Sequence, residues 1–243
     1  TDRSRGLGDV YKRQMKDETP VMTITADGSP TLYLPTIDEH YHSIKGAVAE
    51  SRHVYIDMAL RASGKKEIDL FECGLGTGLN AFLSLLESEK SDCRIRYTVI
   101  EAYPLAPEQA TALGYPDIIA PEYRTLFEQI HSCDWGKPVN ITPRFSLHKI
   151  KGDLTTYPLE ENSYDVIYFD AFAPEKQPEM WSAELLGRIA RSLREEGILS
   201  TYCAKGEVRR RLQQAGLTVH RTPGPPGGKR EILQAIRIPS QNR

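Results

Sequence analysis

The sequence predicts an α/β fold: a doubly wound, mostly parallel seven-stranded sheet entered through an N-terminal hairpin and helix. Three observations lead there. From Lys66 onward, short apolar runs alternate with amphipathic stretches of helical period. The first apolar run ends in the glycine-rich turn GLGTGLN, which opens a helix. A later run, YDVIYF, is continuously apolar, as an interior parallel strand buried on both faces must be.

The elements follow in order. Residues 21–34 alternate apolar and polar around a D-G-S-P turn and read as a hairpin. Ile44 to Arg61 carries apolar residues near helical spacing and reads as one or two helices. EIDLFEC is the first core strand, GLGTGLNAFLSLLES a turn and helix, and RIRYTVIEAY the second strand. PEQATALGY and PEYRTLFEQIH are helical, each with proline at its start. FSLHKIKGD is the third strand and YDVIYFDAF the fourth. SAELLGRIARSLREEG reads as a helix capped by Ser182 and stopped by Gly197. ILSTYCA is the fifth strand, GEVRRRLQQAG a helix, LTVHRTP the sixth strand and ILQAIRI the seventh. The segment GPPGGKRE is too short for a crossover helix, so strands six and seven should be antiparallel. The expected organisation is a leader (1–14), an accessory segment (15–65) and the main domain (66–243). The leader, TDRSRGLGDVYKRQ, precedes the first methionine, Met15, has no period or apolar core, and reads as non-native or disordered.

Composition narrows the class. With 40% hydrophobic and 26% charged residues the chain is an ordinary globular protein, and no apolar run approaches the roughly 20 residues needed to span a bilayer. Cys73, Cys93, Cys133 and Cys203 lie far apart, which fits a reducing cytoplasm and gives neither a disulfide framework nor a metal site. The net charge of -2 conceals a division. Residues 188–243 hold 12 Lys+Arg against 4 Asp+Glu, whereas the rest holds 19 against 29. A polyanion partner for the basic third is therefore permitted.

Gly74, Gly76 and Gly78 follow a strand and open a helix, letting the backbone approach a ligand closely. No Gly-Lys-Ser/Thr follows, which excludes a P-loop, and the glycine spacing fits a dinucleotide fingerprint poorly. An acidic residue ends each of the first four core strands: Glu72, Glu101, Asp153 and Asp170. In a doubly wound sheet these ends share one crevice. Four carboxylates there repel pyrophosphate but suit a cation bearing hydroxyls and amines, such as S-adenosyl-L-methionine. The bland alternative is a set of solvated acidic loop residues.

In these features the sequence resembles the Rossmann-like class I methyltransferases. The resemblance implies that Glu72, the three glycines and Asn80 line the methionine end of the cofactor, Glu101 the ribose, and Asp153 with Leu154 the adenine. The run DAFAPEKQPEMW (170–181) sharpens it to the MnmC/MnmD family of tRNA wobble-uridine methyltransferases, which act on 5-aminomethyl-2-thiouridine. ESRHVYI, ECGLGTGLN, GEVRRRLQQAGLTV and GGKRE share in the resemblance, which covers most of residues 30–238. Ala171 stands where the family often has glycine. What the resemblance implies is an S-adenosyl-L-methionine-dependent enzyme acting on tRNA and fed by a separate modifying enzyme. The residues themselves lead to the expectation of a cytoplasmic protein without metal or membrane, and of no FAD, because the chain is too short to hold the flavin oxidase half of the fused family members. The sequence sets no oligomeric state.

Methyl transfer from a sulfonium is an in-line displacement, so alignment is the main tool. An aliphatic amine with a pKa of roughly 10 is neutral in only about one molecule in a thousand at pH 7. Asp170 is expected to accept a hydrogen bond from that amine and stabilise its growing charge. Phe172 is expected beside it, and with Pro174 and Trp181 to hold the uracil ring, core packing being the alternative for both aromatics. Lys229 and Arg230, in a glycine-rich loop, are expected to contact phosphate; Arg209, Arg210 and Arg211 fit that role or a solvated helix face. His53 and Arg52 read as structural or as bordering the cofactor. Two other functions remain open: an aminopropyltransferase or small-molecule amine methyltransferase, and a non-catalytic RNA-binding module with a residual cofactor pocket.

Overall fold

The computed structural model describes residues 19–239, so the expected leader lies outside the described residues. The chain opens with a three-stranded antiparallel sheet of β1 (Val21–Ile24), β2 (Pro30–Leu34) and β3 (Glu39–His40). Asp27 in its first turn takes hydrogen bonds from Thr25 and Ser29 and accepts from the backbone N–H of Ala49, thereby capping α1 (Ala47–Ser51). The hairpin and the following helix are thus one unit.

α1 runs directly into a nine-residue π-helix, Arg52–Leu60, in place of a second α-helix. The main sheet holds the widened turns. Ser200 Oγ donates to the Val54 carbonyl at 2.6 Å and Gln234 Nε2 to the Met58 carbonyl at 2.7 Å. π-Turns concentrate at functional sites, and this one carries Tyr55.

The main sheet comprises β4 (Glu67–Cys73), β5 (Arg94–Glu101), β6 (Pro138–Asn140), β7 (Phe145–Lys151), β8 (Tyr164–Phe169), β9 (Leu193–Thr201), β10 (Thr218–Pro223) and β11 (Glu231–Ile236). Its order is β10-β11-β9-β8-β4-β5-β7-β6. Strands β9, β8, β4, β5 and β7 are parallel neighbours, and β11 runs antiparallel to both β9 and β10. The expected antiparallel pair is present. The expected seven strands are eight, because β6 pairs antiparallel with β7 at the edge; it is short, mostly exposed and begins with proline, so no apolar pattern marks it.

α2 (Leu79–Lys90), the π-helix and α5 (Arg124–Ser132) cover one face of the sheet; α3 (Pro107–Thr111) and α4 (Tyr115–Ile119) precede α5. α6 (Ala183–Ser192) and α7 (Gly206–Gln214) cover the other. Side chains alternate between the faces, with Val166 and Tyr168 on the first and Ile167 and Phe169 on the second. Ser182 caps α6 as expected, accepting the Leu185 N–H at 3.2 Å. That helix stops at Ser192, however, and not at Gly197. Leu193 is fully buried at the start of β9, and a bulge in that strand, with Glu196 at φ 62°, leads to Gly197. A Cβ on Gly197 would lie 2.8 Å from the Arg194 carbonyl oxygen.

The chain moves outward from β4 through β5 to β7, then returns to β8 on the other side of β4. The C-terminal ends of β4 and β8 therefore border the crevice where such folds bind ligands.

Candidate active site

Two cavities meet at that crevice. The first, about 980 Å³ including its mouth, runs from Gly74, Gly76 and Asn80 past Glu101 to Asp153 and Leu154. The second, about 1380 Å³, is walled by the N-terminal sheet, the 171–174 loop, Tyr202, Glu50 and Lys229. They share Tyr41, His42, Asp170, Ala171 and Phe172.

Asp170 sits at this junction because it continues the alternation of Tyr168 and so faces the π-helix. Its Oδ1 accepts from the Tyr55 hydroxyl at 2.6 Å and its Oδ2 from Asn80 Nδ2 at 2.9 Å. Burial pushes its carboxyl up to about 6, against the opposing effect of these hydrogen bonds. Glu72 shares the same face of the sheet. It accepts from Asn80 Nδ2 at 2.9 Å and from the Tyr97 hydroxyl at 2.7 Å, and burial raises its carboxyl well above the carboxylate range. The expected contact of Glu72 with the cofactor is not what the structure provides, since this side chain lies beneath the cavity floor and is no part of its wall. Asn80 Nδ2, which donates to both Glu72 Oε1 and Asp170 Oδ2, connects it to the cavity wall.

The three glycines divide by task. All have positive φ, at 86°, 50° and 74°. A Cβ on Gly74 would have only the Asp170 carbonyl and Glu101 Oε2 near it, both at 3.9 Å, so the residue keeps space open in the cavity. A Cβ on Gly78 would lie 2.5 Å from His131 Nε2, so this glycine permits packing and does not line the cavity. Glu101 is fixed by the N–H groups of Gly76 at 3.1 Å and Tyr103 at 2.8 Å, one to each carboxylate oxygen. Asp153 accepts from Thr155 N–H and Oγ1, and Leu154, Ile100 and Met180 supply an apolar slot beside it.

These residues fit an S-adenosyl-L-methionine molecule. A carboxylate has about four lone-pair sites, so Glu101 can take two hydroxyl donors besides its two backbone donors. Asn80 Oδ1 is buried without a hydrogen-bond partner and suits an ammonium. The space beside Gly74 is a cradle that a side chain would fill.

Phe172 is held at both ends of its peptide. Its N–H donates to Gln177 Oε1 at 3.2 Å, and its carbonyl accepts from Trp181 Nε1 at 2.7 Å. The Phe172 ring meets Tyr41 edge-on at 5.3 Å. Trp181 itself cannot stack on a substrate ring: it is 0% exposed and packs against Phe169 at 4.9 Å. It is a core residue that positions Phe172. Pro174 lies on the second cavity's wall.

The expected basic face is largely paired within the protein. Arg188 donates to the Thr155 carbonyl, Arg194 bridges Asp69 and Asp165, Arg211 donates to the Trp181 carbonyl, and Arg237 bonds Asn162. Lys229 is turned into the second cavity against Glu50, whereas Arg230 is exposed. A phosphate contact by Lys229 is therefore not its position in this structure, because the buried Glu50 carboxylate draws the ammonium inward. His53 Nε2 bonds the Pro223 carbonyl at 2.7 Å, and Arg52 lies outside both cavities. Among the described residues no group of three or more His, Cys, Asp or Glu could hold a metal, and no helix is long and apolar enough to cross a membrane.

Tyr41, His42, Glu50, Tyr55 and Tyr202 were not expected at the site. His42 Nε2 bonds Thr77 Oγ1 at 2.7 Å, and burial brings its imidazole down to about 4. Tyr202 donates to the Ala171 carbonyl at 2.8 Å. Glu50 and Tyr55 lie in the ESRHVYI run, whose sequence resemblance was the available signal.

The chain is similar to known proteins in sequence and in fold. Residues 123–238 match the family described as S-adenosyl-L-methionine-dependent methyltransferase. The bifunctional protein MnmC of Cupriavidus metallidurans, named for tRNA 5-methylaminomethyl-2-thiouridine biosynthesis, is 31% identical over 93% of this chain and 35% of its own length. The protein of the same name from Pseudomonas fluorescens is 34% identical over 81% of this chain and 32% of its own. The chain thus spans about a third of the length of these curated relatives. The crystal structure of MnmC2 from Aquifex aeolicus superposes with a TM-score of 0.71 at 25% identity, covering 96% of this chain and 79% of that one. A spermidine synthase from Thermotoga maritima, with a TM-score of 0.58 at 15% identity over 90% of this chain and 69% of its own, shares the fold. Fold and site together define a class I S-adenosyl-L-methionine-dependent methyltransferase. Within that class, the chain belongs to the MnmC-type methyltransferase domains.

Proposed function

We propose that the protein methylates the exocyclic amine of 5-aminomethyl-2-thiouridine at the wobble position (34) of tRNA, forming 5-methylaminomethyl-2-thiouridine. The observation that carries this reading is the junction of the two cavities at Asp170 and Phe172, a carboxylate and an aromatic ring facing a compartment beside the cofactor pocket. Glu101, Asp153, Leu154 and Asn80 would hold S-adenosyl-L-methionine, which supplies an electrophilic methyl group in the first cavity. Phe172, braced edge-on by Tyr41, would stack on a uracil ring turned out of the anticodon, such stacking being worth roughly 1–3 kcal/mol per base.

Asp170 would point the amine lone pair along the displacement axis. Its raised pKa narrows the mismatch with an amine, but the adjacent sulfonium cation favours its ionised form. It therefore works as a hydrogen-bond acceptor and anionic anchor as positive charge builds on nitrogen. The enzyme would act in the cytoplasm on tRNA whose aminomethyl group another enzyme has installed.

The test is incubation with methyl-labelled S-adenosyl-L-methionine and either undermodified bulk tRNA or a polyamine mixture. Label in the wobble nucleoside supports the reading. Label only in the polyamines assigns a small-molecule amine transferase, and label in neither, with cofactor bound, leaves a binding module.

A further inference from the structure

Lys229 occupies an unusual place for a lysine of a glycine-rich loop. Its ammonium is 2.8 Å from Glu50 Oε2 and 4.0 Å from the centre of the Tyr202 ring, inside the acceptor cavity. Both partners are fixed independently of it. Glu50 is 6% exposed, stands on α1, and its other oxygen accepts the Ser43 N–H at 3.1 Å. Tyr202 is anchored through its hydroxyl to the Ala171 carbonyl, next to Asp170. The lysine, by contrast, comes from the turn joining β10 to β11, where Gly227 has φ 73°, and its side chain is 38% exposed. A rigid carboxylate and ring face are thus met by a cation on a loop.

We infer that Glu50 and the face of Tyr202 form a cation seat, that Lys229 is its resident occupant, and that the ammonium of the acceptor displaces Lys229 when it binds. This rests on the proposed amine acceptor and names the group that selects it. A buried carboxylate stripped of its cation is strongly destabilised, so only an acceptor that brings positive charge can take the lysine's place. A nucleoside without the amine leaves the plug in position. The arrangement gives charge selectivity at recognition: the protonated form, dominant at neutral pH, is admitted, it releases one proton to solvent through the cavity mouth, and the neutral amine then takes the methyl group beside Asp170.

The experiment is calorimetric titration in saturating S-adenosylhomocysteine, which prevents turnover. Wild type, Lys229→Ala and Lys229→Ala/Glu50→Gln each receive propylammonium, 5-aminomethyluridine and uridine. The expected result is a gain of at least tenfold in affinity for propylammonium and 5-aminomethyluridine on Lys229→Ala, lost again in the double variant, with uridine unchanged throughout. Lys229→Gln, which retains a hydrogen-bonding group toward Glu50, replaces the alanine variant if circular dichroism shows the latter unfolded. No gain for propylammonium overturns the seat. A gain for propylammonium without one for 5-aminomethyluridine keeps the seat and overturns the wobble amine as its ligand.

Discussion

The Tyr55 hydroxyl donates to Asp170 Oδ1 at 2.6 Å across 115 residues of sequence. One partner belongs to the π-helix ahead of the main sheet and the other to the loop after β8, so the N-terminal segment is built into the site. Tyr55→Phe removes the hydrogen bond that favours ionised Asp170, whose carboxyl lies at about 6. Loss of that bond raises it further. The acid limb of the single-turnover rate should move to higher pH, with a large deficit at pH 6 that narrows by pH 8.5. An equal deficit at both would show that Tyr55 only packs.

Asp170→Asn separates activity from stability. The folded carboxyl is raised from 3.8 to about 6, so protonated Asp170 contributes stability that is present below 3.8 and lost as pH rises through 6. At pH 8 the buried charge therefore costs the fold about 1–3 kcal/mol. The asparagine variant should be more stable than wild type by that amount in urea at pH 8, with the advantage vanishing near pH 4. Its methyl-transfer rate should fall by about 10²-fold or more. Retention of half the wild-type single-turnover rate would remove Asp170 from the chemistry.

Two glycines of one turn should fail differently. Gly74→Ala puts a methyl into open cavity at φ 86°, with backbone strain of about 1–2 kcal/mol. The variant should fold and lose at least tenfold in S-adenosylhomocysteine affinity. Gly78→Ala drives a methyl against His131 at 2.5 Å, adding overpacking of about 1–3 kcal/mol to similar strain. Its loss should appear in urea denaturation. Calorimetry and denaturation on both variants decide the assignment.

The core strands, the antiparallel last pair and the strand-end carboxylates were legible because each follows from local apolar pattern, connection length and the geometry of parallel sheets. Glu72 shows where pattern ends: Leu70, Phe71 and Cys73 are all buried, so the run has no polar face to reveal which way Glu72 points. The π-helix differs from an α-helix by one residue per hydrogen bond, too little for nine residues to register. Glu50 and Tyr55 join Lys229 and Asp170 over separations of 179 and 115 residues, which no local rule spans. Charge can likewise be counted in sequence, but which basic side chains find partners within the protein depends on other elements, as when Arg194 meets Asp69 and Asp165 and Arg211 the Trp181 carbonyl.

Trp181 gives the last prediction, because stacking on substrate and packing in the core require different losses. Its indole N–H donates to the Phe172 carbonyl at 2.7 Å while its ring fills the space between Phe169 and Tyr202. Trp181→Phe leaves a cavity and strips that carbonyl of its donor, a combined cost of about 2–4 kcal/mol. Stability in urea should fall accordingly. Phe172, freed at one end of its peptide, should wander from the cavity junction and lower kcat, while cofactor affinity changes less than threefold because Trp181 lines neither cavity. A variant of wild-type stability with a raised KM for tRNA would restore Trp181 to the substrate.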